Sequence, residues 1–100
     1  MPQTPVIFRK YPDGEIIALF PTIPGGRPGE CMSYVHVGQH GAADHGHVIR
    51  STRLARPDEY ADLLAELVRV GYDDLRVYRR EHPWMHRERM NAWLATFGTP

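Results

Sequence analysis

The stretch Val6-Ile7-Phe8-Arg9-Lys10-Tyr11, Pro12-Asp13-Gly14-Glu15, Ile16-Ile17-Ala18-Leu19-Phe20 sets two runs of β-branched and aromatic residues on either side of a four-residue turn. Proline presets φ in that turn and glycine accepts φ > 0, so the segment reads as a β-hairpin. Its second arm is apolar throughout, which predicts an inner strand covered on both faces. The first arm carries Arg9 and Lys10 and is expected nearer an edge, where charge discourages pairing with another chain.

Beyond the hairpin, Pro21 to Glu30 holds three prolines and three glycines and is expected to be a surface loop. It lacks the lysine and following helix that a phosphate-binding loop requires. Cys31 to Val37 is predicted as a third strand, with Cys31, Ser33, Val35 and Val37 on one face and Met32, Tyr34 and His36 on the other. A loop over Gly38 to Gly46 then leads to a fourth strand over His47 to Leu54.

Pro57 followed by Asp58 and Glu59 opens a helix, although Arg56 is a poor N-cap. Tyr60, Leu63, Leu64, Leu67 and Val68 form its buried stripe, and Gly71 ends it. Leu75 to Arg80 reads as a short strand, so strand, helix and strand suggest a right-handed crossover. Pro83 opens a last helix to about Phe97, with Met90, Trp93, Leu94 and Phe97 as its expected stripe and His86 on the same side. The order β-β-β-β-α-β-α predicts one α+β domain over residues 1–100, a mixed four- to five-stranded sheet packed against two helices.

Twelve basic and twelve acidic residues cancel in this chain of 100 residues, so attraction to nucleic acid or to an anionic membrane must be local. One cysteine excludes an intramolecular disulfide, and Met-Pro-Gln-Thr-Pro has no secretory character. The longest apolar run, Ile16 to Phe20, is far short of the roughly 20 residues that cross a bilayer. These readings predict a cytoplasmic protein without a membrane partner.

Two groups of residues carry candidate chemistry. His36, His40, His45 and His47, with Asp44 among them, are ligand types that zinc or another divalent metal prefers, but HxxxHxxxxHxH is no standard zinc motif. Cys31 and His36 fall on opposite strand faces, so Cys31 is expected to be an inert core thiol unless a different histidine approaches it. The second group is basic. Pro57 to Leu75 carries a net charge of minus five, whereas Arg76 to Met90 carries plus three. Arg76, Tyr78, Arg80 and Trp84 there could contact phosphates and stack bases, or the arginines could pair with the acidic helix or a second subunit.

At Val6 to Pro21, at Cys31 to Asp44 with its Met32 to Gly41 block, and at Pro57 to Leu64, the chain resembles a family of small uncharacterised bacterial proteins often carried on plasmids and other mobile elements. The resemblance implies an accessory bacterial protein that acts by binding, and brings no catalytic residues or cofactor. The leading expectation is therefore a non-enzymatic binding module with a protein or nucleic-acid partner and no cofactor. It would engage that partner through His36, His40, Asp44, His45 and His47 and through Arg76, Tyr78, Arg80 and Trp84, as a monomer or homo-oligomer. The alternative is a metal-dependent hydrolase, with His36, His40, His45 and His47 as ligands of zinc or another divalent metal and Asp44 as a ligand or base.

Overall fold

The hairpin forms the middle of a six-stranded sheet as β1 (Thr4–Lys10) and β2 (Ile16–Pro24), joined through a turn in which Gly14 adopts φ 95°. The computed structural model describes residues 3–36 and 39–98, so Val37 and Gly38 of the predicted third strand and loop lie outside the described residues. β2 pairs with β3 (Glu30–Tyr34), and β3 pairs with β4 (His40–Asp44), all antiparallel. On its other side β1 meets two short strands. β5 (Arg53–Leu54) runs antiparallel to its C-terminal end, and β6 (Leu75–Tyr78) runs parallel to its N-terminal half.

Helices cover both faces of the sheet. α2 (Pro57–Arg69) sets Leu63 and Leu67 on Val6, Phe8, Ala18, Phe20 and Tyr34, and Tyr60 stacks on Phe8 at 4.4 Å. α1 (His45–Ser51) places Val48 on Ile17, Leu19 and Cys31 of the opposite face. α3 (Pro83–Phe97) lies along β2 on that same face, where Arg89 Nη1 donates to the Pro21 carbonyl at 2.7 Å. Alternation along each strand delivers one apolar set to each face.

The fold is α+β, with several elements placed differently from the sequence reading. The fourth strand is β4, which forms within the expected loop, and residues 47–51 of the expected strand belong to a helix that starts at His45. Asp44 caps α1 by accepting from His47 N at 3.0 Å. At the other end the Arg9 guanidinium donates to the carbonyls of Ile49 and Thr52 at 3.1 and 2.7 Å. The element order among the described residues is therefore β-β-β-β-α-β-α-β-α, with three helices rather than two.

β1 is an inner strand and not an edge, and Arg9 is buried because it serves α1. β2 continues to Pro24 through a register shift after Phe20, so the first residues of the proline-rich segment are strand, where proline is tolerated at an irregularity. β5 and β6 run in opposite directions along β1, so α2 does not make a parallel crossover between them.

α3 is also turned from its expected orientation. Met85 and Arg89 are its buried residues, whereas Met90, Leu94 and Phe97 are exposed. α2 starts as its proline suggests, and Glu59 offsets the poor cap by accepting from Arg56 N at 2.9 Å.

Candidate functional site

β5 and β6 advance toward each other along one edge of β1 and stop where they meet. Leu54 lies opposite Arg9 and Ala55 N donates to the Phe8 carbonyl at 3.1 Å, while Tyr78 lies opposite Ile7. From this point the chain departs to opposite faces, through Arg56 into α2 and through residues 79–82 into α3. Connections that diverge beyond the carboxyl ends of neighbouring strands leave a crevice, the same reason ligands settle at the switch point of an open α/β sheet.

The crevice here is a cleft of about 410 Å³. Phe8, Tyr60, Val77 and Tyr78 form its walls, with Arg56 and Arg79 at the rim. A neighbouring hollow is lined by Leu54, Arg79 and Arg80. Arg76 sits 5.0 Å from the Tyr78 ring centroid, and Trp84 meets that ring edge-on at 5.8 Å. Aromatic surface and guanidinium groups thus occupy one edge of the sheet.

The rim arginine Arg56 is paired with acids of α2, but among the described residues the arginines of β6 and of the segment after it are not. Asp58 pairs with Arg56 at 3.3 Å, and Glu59 pairs with Lys10 at 2.7 Å and with Arg53 at 2.6 Å. These cations, Arg53 first, hold the Glu59 carboxyl well below the usual range. Glu66 accepts from Tyr34 and His36, and Asp74 accepts from Thr4. Glu81 follows Arg80 in sequence, but one oxygen of its carboxylate is buried and its charge acts on Arg9, His45 and His86. Among the described residues no carboxylate forms an ion pair with Arg76, Arg79 or Arg80.

The four histidines do not converge. Exposed His36 donates to Glu66 Oε1 at 3.0 Å. His40 begins β4, with Nε2 3.1 Å from the Tyr72 hydroxyl and its ring edge-on to Tyr34. His45 is buried on the opposite face, and His47 is exposed on α1 beside Ser51. Asp44 is occupied as the α1 cap. No group of three or more metal-ligating side chains forms among the described residues.

His45 is the histidine that reaches Cys31, with Nδ1 3.6 Å from Sγ. Both side chains are buried, and burial pushes the Cys31 thiol up to about 11 and the His45 imidazole down to about 4. Arg89 opposes the first shift and reinforces the second. A neutral thiol beside a neutral imidazole, closed off from solvent, is a core contact and not an activated nucleophile.

A second cleft of about 590 Å³ lies on the other flank of α2. Asp13, Glu15, Glu59, Asp62 and Glu66 surround it over a floor of Ile16 and Leu63, and these five acids outnumber the one arginine, Arg69, and the one histidine, His36, in its lining. The molecule therefore carries opposite charge on the two sides of one helix.

Of the residues singled out in the sequence, the structure gathers Arg76, Tyr78 and Trp84 at the split edge, with Arg80 lining the hollow beside its cleft. It adds Arg79, Arg56 and Tyr60, which line the cleft only because β5, β6 and α2 converge there. No family model, curated protein or solved structure matches this chain. No helix among the described residues is long and apolar enough to cross a membrane.

Proposed function

We propose that this protein is a non-enzymatic binding module that takes single-stranded nucleic acid along its split sheet edge. One observation carries the reading: among the described residues Arg76, Arg79 and Arg80 keep their charge free of ion pairs beside an aromatic cleft, although six acids precede them between Pro57 and Leu75. Guanidinium groups recognise phosphate and stack on planar bases, and aromatic rings beside them accept bases of any sequence. Such binding needs no cofactor. A cytoplasmic accessory role, of the kind implied by the resemblance to plasmid-borne bacterial proteins, fits this reading.

Fluorescence anisotropy with a labelled single-stranded oligonucleotide tests it. The wild type is expected to bind with an affinity that falls as salt rises, with a slope of roughly 0.7 per phosphate neutralised. Arg79→Ala with Arg80→Ala should weaken binding by about tenfold or more and flatten that slope by roughly 1.4. Absence of binding at low salt, or equal binding by the double variant, would remove the proposal.

A further inference from the structure

The edge of the sheet opposite the basic cleft is β4, and among the described residues no strand lies beyond it. Its backbone polarity follows from the pairing with β3. Val35 N donates to the Gln39 carbonyl at 3.0 Å and His45 N to the Gly29 carbonyl at 3.1 Å, so bonds to β3 fall at the odd positions of this ladder. The N–H and C=O of His40 and Ala42 therefore point outward, as does the N–H of Asp44, whose carbonyl opens α1.

Natural edge strands are usually guarded by lysine, proline, a bulge or great shortness. β4 is five residues, His-Gly-Ala-Ala-Asp, in unbroken register with β3 and without lysine or proline. His40, Ala42 and Asp44 are exposed, and they share one face of the sheet. Small side chains between His40 and Asp44 leave the backbone approachable.

We infer that β4 pairs with β4 of a second copy of this chain, antiparallel about a two-fold axis through Ala42. In that register His40 stands opposite Asp44 of the second copy, and Ala42 opposite Ala42. The parity agrees, because the residues that face each other are those whose backbone groups point outward. Four main-chain hydrogen bonds form: two between the Ala42 residues and one from each Asp44 N–H to a His40 carbonyl. Asp44 Oδ1 caps α1 and His40 Nε2 meets Tyr72, but Asp44 Oδ2 and His40 Nδ1 make no hydrogen bond among the described residues. Imidazole and carboxylate are therefore complementary at both ends, which is what selects a second copy over an unrelated strand. A slip of two residues would put His40 opposite Ala42 and lose both pairs. The basic clefts remain open at the far edges of the joined sheet.

Sedimentation equilibrium over a range of concentrations, with amide hydrogen exchange on the same samples, tests the inference. Expected are a reversible species of twice the chain mass and slower exchange at Ala42 and Asp44 as concentration rises. Ala42→Lys opposes two ammonium groups at the axis and should weaken association by roughly tenfold or more with an unchanged circular dichroism spectrum. His40→Asp, which faces Asp44 with a like charge, should act in the same direction. A monomer at every concentration, a dimer retained in Ala42→Lys, or a dimer in which the Ala42 amide exchanges freely would each overturn it. Oligonucleotide affinity per chain is a separate readout, since Arg79 and Arg80 belong to the other edge.

Discussion

Arg9 and Arg89 are 8% and 7% exposed, whereas Arg76, Arg79 and Arg80 stand in solvent at the split edge, and the two sets use one side-chain chemistry in opposite ways. The buried pair donates to neutral acceptors. Arg9 closes the end of α1, and Arg89 bridges the Pro21 carbonyl and His86 Nδ1 at 2.7 Å each. Burial lowers the pKa of both guanidinium groups. The exposed set has no such acceptors among the described residues. Arginine that is fully hydrogen-bonded under a helix is structural, and arginine left beside an aromatic cleft is available to a ligand.

The largest effect that would break this distinction is loss of stability on removing a buried guanidinium. Arg89→Ala leaves the Pro21 carbonyl and His86 unpaired and opens space beneath α3, and it should cost about 3–4 kcal/mol in urea unfolding. Arg79→Ala should stay within about 0.5 kcal/mol, since surface substitutions rarely exceed that. Comparable losses in the two variants would mean that the split-edge arginines are structural after all.

The polar cluster beside Arg89 makes a pH prediction of nearly the same size. His45 stays neutral when folded down to about 4, but once unfolded it takes up a proton near its ordinary 6.5. The unfolded state therefore binds more protons in that window, and stability falls as pH drops from 6.5 toward 4, by roughly 3 kcal/mol. Cys31 acts at the other extreme. Its thiol holds its proton to about 11 when folded against 9.0 when unfolded, so stability falls again as pH rises through that range, by roughly 2–3 kcal/mol. Urea midpoints measured across pH check both limbs. Cys31→Ser should remove the alkaline limb, and a flat profile between pH 4 and 6.5 would show that His45 is not sealed as described.

Much of this arrangement was legible wherever local chemistry decides it. The hairpin, the α2 stripe and the two faces of β3 as far as Tyr34 follow from alternation, helical spacing and turn residues. The helix α1 was not, because residues 47–54 alternate like a strand and the decisive contact is Arg9, which lies 43 residues from Thr52. Once Asp44 and Arg9 fix α1, His45 is carried under the sheet to Cys31 while His40 remains on the opposite face. That separation dissolves the histidine cluster suggested by sequence proximity. The basic and aromatic composition of residues 76–84 was visible directly, whereas the role of Arg79 and Arg56 required knowing that β5 and β6 share an edge.

The smallest effect sharpens the contrast across α2. Glu15 and Asp62 line the acidic cleft and make no side-chain hydrogen bond or ion pair among the described residues, so their charge is not engaged inside the fold. Glu15→Gln with Asp62→Asn preserves shape and removes two negative charges on the flank opposite the arginines. A nucleic-acid strand at the basic cleft then meets less repulsion, and affinity at low salt should rise by about two- to threefold. The gain should vanish near physiological ionic strength, where the Debye length is about 8 Å and charges across the helix are screened. Unchanged affinity at low salt would mean that the acidic cleft does not reach the bound strand. A gain that persists in high salt would point instead to direct contact between the strand and the acidic wall, and the two clefts would then be one surface.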